Sequence, residues 1–91
     1  MLIRWSPKAA EDLARIVSYP RNDSPEAALR VAKSIFEKAQ GLAAFPNRGR
    51  VGRVPGTREL PLPPLPFIVV YRVLEDAIEI SNILHGAQRW P

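Results

Sequence analysis

Phe67-Ile68-Val69-Val70-Tyr71-Arg72-Val73-Leu74 decides the fold. The run is β-branched or aromatic almost throughout, and Arg72 is its only charge. A strand with one wet face alternates apolar and polar residues. A run without that alternation fits a strand covered on both faces, in the middle of a sheet. Arg72 must then reach the surface or find a carboxylate, and Glu59 or Glu79 on neighbouring strands would serve.

Working outward, Glu75-Asp76-Ala77 reads as a short hairpin loop. Residues 78–84 return as an antiparallel strand. On the other side, Pro61, Pro63, Pro64 and Pro66 lack the N–H that a ladder needs. A strand over Thr57 to Leu60 is therefore short or at an edge. Residues 47–56 contain glycine, proline and three arginines without periodicity, and read as a loop. Before it lie two helical stretches, each opened by a serine–proline pair, Ser6-Pro7 and Ser24-Pro25. Serine caps an orphan N–H, and proline suits the first helical turn. Ala9, Leu13, Ile16 and Val17 line one helix. Pro20 stops it, and Arg21-Asn22-Asp23 connects it to the next. Ala28, Val31, Ala32, Ile35, Ala39 and Leu42 line the second helix, which runs to near Ala44. The short connection makes the helices antiparallel neighbours. Leu2-Ile3-Arg4-Trp5 is a first short strand.

The expected fold is thus α+β, in the order strand, helix, helix, strand, strand, strand. A helical hairpin packs on a small antiparallel sheet. The first strand is expected to join the strand beginning near Thr57. One domain over residues 1–91 is all this length accommodates. Its modest core leaves it marginally stable.

Ten arginines and three lysines give a net charge of +4. Arginine suits planar contacts to carboxylate or phosphate, so the partner is expected to be acidic, either nucleic acid or protein. The absence of cysteine excludes disulfides and thiolate metal sites, and with a single histidine a zinc site would need carboxylates as its main ligands. No cofactor and no metal are expected. With no apolar run of membrane-spanning length and no apolar leader, the expected location is the cytoplasm, without a membrane partner.

Several motifs in this order resemble those of the RelE/ParE toxins of type II toxin–antitoxin systems. They are Ser6-Pro7-x-Ala-x-x-Asp12-Leu13-x-x-Ile16, Pro25-x-Ala-Ala-x-x-Val31-Ala32-x-x-Ile35, Phe45-Pro46-x-x-Gly49-Arg50-x-Gly52 and Gly56-Thr57-Arg58-Glu59-Leu60. Pro66-Phe67-Ile68-Val69-Val70-Tyr71-Arg72-Val73, Ile83-Leu84-His85-Gly86-Ala87 and Arg89-Trp90-Pro91 complete the series. The resemblance covers nearly the whole chain. It implies a cognate antitoxin, often with a ribbon-helix-helix, ParD-like part, and DNA contact only through the antitoxin complex.

The resemblance implies one of two targets. One branch of the family cleaves ribosome-bound mRNA; the other inhibits DNA gyrase. Cleavage through the 2′-hydroxyl needs a base, a cation for the phosphorane charge and an acid for the leaving oxygen. Glu59, Pro61 and Ile68 stand where the cleaving branch has basic residues, and no tyrosine follows Tyr71. The reading is therefore ParE-like, with no catalytic residue. The alternative is a metal-independent endoribonuclease using Arg58, Arg72, His85 and Arg89. Candidate contacts to antitoxin or target are Arg48, Arg50, Arg53, Arg58, Arg72, His85, Arg89 and Trp90. Tyr19 and Phe36 are either packing residues or part of a groove beside the helices.

Overall fold

The computed structural model describes residues 1–18 and 24–86. Tyr19, the Pro20 stop, the Arg21–Asp23 connection, Arg89 and Trp90 lie outside the described residues.

The elements run β1 (Leu2–Trp5), α1 (Pro7–Ser18), α2 (Pro25–Gln40), a 3₁₀ turn (Gly41–Ala43), β2 (Arg50–Val51), β3 (Arg58–Pro61), β4 (Phe67–Val73) and β5 (Ala77–His85). Both helix starts follow the serine–proline logic. Ser6 Oγ accepts from the Ala9 N–H at 3.0 Å, and Ser24 Oγ from the Ala27 N–H at 3.2 Å. α2 stops at Gln40, and its apolar stripe continues through the 3₁₀ turn, so that Leu42 is fully buried.

The sheet order is β1-β5-β4-β3-β2. β4 is central, and Val69, Val70 and Tyr71 are each fully buried, as its unalternating sequence requires. The fold is α+β as expected, with two corrections. β1 does not join the strand at Thr57; it pairs in parallel with β5, from Leu2↔Ala77 to Trp5↔Ile80, so the sheet is mixed. The expected edge beside β3 is occupied by β2, a two-residue strand inside the stretch read as loop. The helical hairpin explains the first correction. It carries the chain across one face of the sheet and delivers it to the edge far from β1. β5 is then the strand whose Ile78 and Ile80 complete the apolar layer begun by Ile3 and Trp5.

The core lies between helices and sheet. It joins Ala9, Ile35, Ala39 and Leu42 to Leu60, Val69, Tyr71, Ile78, Ile80 and Ile83. Each fully buried aliphatic side chain there contributes about 1.5–3 kcal/mol relative to exposure.

β1 ends opposite Ile80, while β5 runs on to His85. Polar side chains from the start of α1 serve the edge of β5 beyond that point. Ser6 Oγ donates to the Ser81 carbonyl at 2.7 Å, and Asp12 Oδ2 accepts from the Ile83 N–H at 2.9 Å. Asp12 is only 5% exposed, and Lys8 and Arg15 pair with its other oxygen. An unpaired edge N–H beside the core would be costly, so Asp12 both satisfies it and ties α1 to the sheet.

Candidate functional site

Opposite residues of neighbouring strands share a face of the sheet, and faces alternate along each strand. Leu60, Val69 and Ile83 face the helices. Their neighbours Glu59, Val70 and Asn82 therefore form a row on the other face, extended by Arg50. Pro61, Ile68 and Leu84 form the next row on that face. A register shift between Val70 and Tyr71 leaves Arg72 opposite Glu79 on the same face, with Arg4 beyond. The structure thus brings together the three positions, Glu59, Pro61 and Ile68, at which cleavage would require basic groups.

Glu59 is 3% exposed and fully engaged. One oxygen accepts from Arg50 Nε and Nη2 at 3.3 and 3.1 Å, the other from the Arg53 N–H at 3.1 Å. The Arg53 backbone N–H, followed by the Arg50 guanidinium, holds its carboxyl below the ordinary value of 4.5 against the opposing effect of burial. A carboxylate depressed in the fold adds stability above its unfolded pKa and loses it as pH falls through the folded value. The advantage of the native chain over Glu59→Gln is therefore expected to hold near neutrality and shrink below about pH 4.5. Urea midpoints of both proteins from about pH 7 down to about pH 3 check this. Parallel curves would contradict it.

Arg72 pairs with Glu79 (Nη2 to Oε1 3.2 Å), the second of its two expected partners. Arg58 faces the helices and donates from Nη1 to the Gly49 carbonyl at 2.7 Å. His85, at the end of β5, sets its ring edge-to-face on Phe67 at 5.6 Å. Tyr71, opposite Arg58, and Phe67 are four positions apart on β4, roughly 13 Å. Arg58 and His85 thus sit far apart on one face and Arg72 on the other. Of the alternative ribonuclease set Arg58, Arg72, His85 and Arg89, the structure does not bring the first three together, and Arg89 lies outside the described residues. Among the described residues no group of three or more His, Cys, Asp or Glu side chains is placed to hold a metal ion.

Residues 45–57 are anchored from beneath. Tyr71 is buried, accepts from the Gly49 N–H at 2.9 Å and donates to the Pro46 carbonyl at 2.7 Å. A Cβ on Gly49 would meet the Tyr71 ring at 2.8 Å, so only glycine allows this approach. Thr57 closes the far end, donating to the Val54 carbonyl and accepting from the Gly52 N–H through its own carbonyl. Above these anchors Phe45 is 59% exposed, and the Arg48 guanidinium lies 5.1 Å from its ring centroid.

A second apolar surface lies on the helical side. Trp5 stacks on Phe36 at 5.7 Å and donates from Nε1 to Gln40 Oε1 at 3.2 Å. Trp5, Phe36, Ala10, Leu13, Ala14, Val17 and Ala32 line a hollow of about 380 Å³ whose walls are almost wholly apolar. Phe36, undecided in the sequence, belongs to this hollow. The roles of Asp12 and Tyr71 were not legible. Lys8, Asp12 and Arg15 have the spacing of an exposed helical ion pair, and Tyr71 has that of a core residue.

The family model for the ParE toxin of type II toxin–antitoxin systems, parDE, matches residues 3–90. The chain belongs to the ParE toxin family. Its relatives include the Sinorhizobium fredii protein Y4kP, 42% identical over 98% of this chain and 92% of the relative. Toxin RelE2 of Caulobacter vibrioides is 36% identical over 92% and 93%. Among solved structures, the chromosomal ParDE toxin–antitoxin system from P. aeruginosa contains a chain that superposes with a TM-score of 0.86 at 36% identity, covering 93% of this chain and 95% of that one. This ParE-family toxin therefore has the family's helical hairpin and mixed sheet. No described helix is long and apolar enough to cross a membrane.

Proposed function

We propose that this ParE-family toxin acts by binding a protein target, DNA gyrase, without catalysis, and that a cognate ribbon-helix-helix, ParD-like antitoxin neutralises it. The observation that carries the reading is the sheet face bearing Glu59, Pro61 and Ile68. Its one buried ionisable group among the described residues is an engaged carboxylate. That carboxylate would repel a phosphorane, and its arginine is already neutralised by it. The ParE family match supports the same branch. The antitoxin is assigned to the hollow between α1, α2 and Trp5, whose apolar walls suit one face of an amphipathic helix. Arginine charge steers an acidic antitoxin toward it.

The runner-up, mRNA cleavage on the ribosome, draws on the RelE2 name of one relative. A supercoiling assay with purified gyrase, run beside a translation-dependent mRNA cleavage assay, separates the two. Inhibition of supercoiling with intact mRNA is the expected result. Cleavage of ribosome-bound mRNA that disappears in His85→Ala would overturn it.

A further inference from the structure

Two exposed hollows share no lining residue. The first lies between the helices; the second is formed by Ala44, Phe45, Pro46, Asn47 and Arg48 at the entrance to β2. We propose that this second surface, the Phe45–Arg48 patch, is a docking epitope for the toxin's target. The surface it fits is that of a protein that presents an apolar side chain bordered by carboxylates.

The patch is built before any partner arrives. Arg48 N–H donates to the Phe45 carbonyl at 3.1 Å and closes a turn. Tyr71 holds both sides of that turn, at Pro46 and Gly49, from within the core. Little ordering remains to be done on association, which is the condition under which a small epitope gives useful affinity. The side chains left outside are a phenylalanine ring and an arginine, residue types enriched in protein interfaces.

Charge and pairing separate a protein partner from RNA. A phosphate-reading surface needs several cations available together. Here Arg50 is paired with Glu59, on which the charge of Arg53 also acts, Arg58 with the Gly49 carbonyl and Arg72 with Glu79. Arg48 instead rests on Phe45 and keeps its charge for a carboxylate brought in with an apolar surface. The partner is the target rather than the antitoxin because the reading proposed above gives the antitoxin the apolar hollow between the helices.

The inference rests on the toxin reading, and its test does not depend on which target is correct. Phe45→Ala, Arg48→Glu and the milder Phe45→Leu and Arg48→Gln are compared with the native chain. The readouts are growth arrest on expression, gyrase supercoiling, melting temperature and affinity for the co-expressed antitoxin. Phe45→Ala and Arg48→Glu are expected to weaken growth arrest and supercoiling inhibition about tenfold or more, with melting temperature and antitoxin affinity unchanged. The milder pair is expected to fall in between, which covers misfolding of a harsher variant. If the native toxin leaves supercoiling untouched, the gyrase reading fails alone, and reduced growth arrest still supports the epitope. Full growth arrest by folded Phe45→Ala and Arg48→Glu would overturn it. So would a matching loss of antitoxin affinity, which would assign the patch to the antitoxin interface.

Discussion

Asp12→Ala is expected to destabilise the toxin by about 3 kcal/mol, the largest stability effect of any single polar substitution considered. The carboxylate is 5% exposed and is the acceptor for the Ile83 N–H at 2.9 Å. Its removal leaves a buried edge N–H without a partner beside the core, and unties α1 from β5. The flanking Lys8 and Arg15 are more than half exposed, so their loss of a counter-charge adds little. Asp12→Asn separates the two contributions. Its amide oxygen can still accept from Ile83, so it should cost roughly 1 kcal/mol. Urea denaturation of the three proteins at neutral pH measures both. Equal losses for alanine and asparagine would mean that charge, not the hydrogen bond to β5, is what Asp12 supplies.

Phe36→Asp is expected to reduce antitoxin affinity about a hundredfold, or roughly 3 kcal/mol, while leaving growth arrest in place. Phe36 is 43% exposed and stacks on Trp5 at the rim of the helical hollow. A carboxylate there puts a desolvated charge against an incoming apolar helix face, and against any acidic flank of the same antitoxin. Because the ring contributes surface rather than core, the fold should tolerate the change with a small shift in melting temperature. The result to look for is a strain that arrests and is no longer rescued by co-expressed antitoxin, confirmed by titration calorimetry. Normal rescue and unchanged affinity would remove the antitoxin from this hollow.

What was legible in the sequence follows from which interactions are local. The β4 run, the helix starts at Ser6 and Ser24 and the stripe from Ala28 to Leu42 are set by periodicity and capping. These act over a few residues, and all are found. The pairing of β1 is not local. Nothing in Leu2–Trp5 distinguishes β5 from β3 as a neighbour, and the path of the helices across the sheet decided it. Two arginines on neighbouring strands look alike in sequence. Alternation put Arg58 under the loop and Arg72 on the far face, which separated these two members of the alternative ribonuclease set. The same alternation gathered Glu59, Pro61 and Ile68, so the departure from the cleaving branch read in the sequence is concentrated on one surface. The Phe45–Arg48 stack was invisible because a loop arginine carries no periodic signal, and its support comes from Tyr71 far along the chain.

The parallel pairing of β1 with β5 also sets when this protein can exist during its own synthesis. Ser6 and Ser81, joined by a hydrogen bond, are 75 residues apart. Translation at about 5–20 residues per second keeps the first strand waiting for seconds before its neighbour emerges. Such long-range pairing raises contact order and holds back completion of the sheet until β5 is available. A nascent or prematurely terminated product that lacks β5 has no partner for β1 and no Ile83 for Asp12, so it cannot assemble the surfaces described above. For this toxin the consequence is one of timing: the β1 edge and the Asp12 tie form only after β5 has been made.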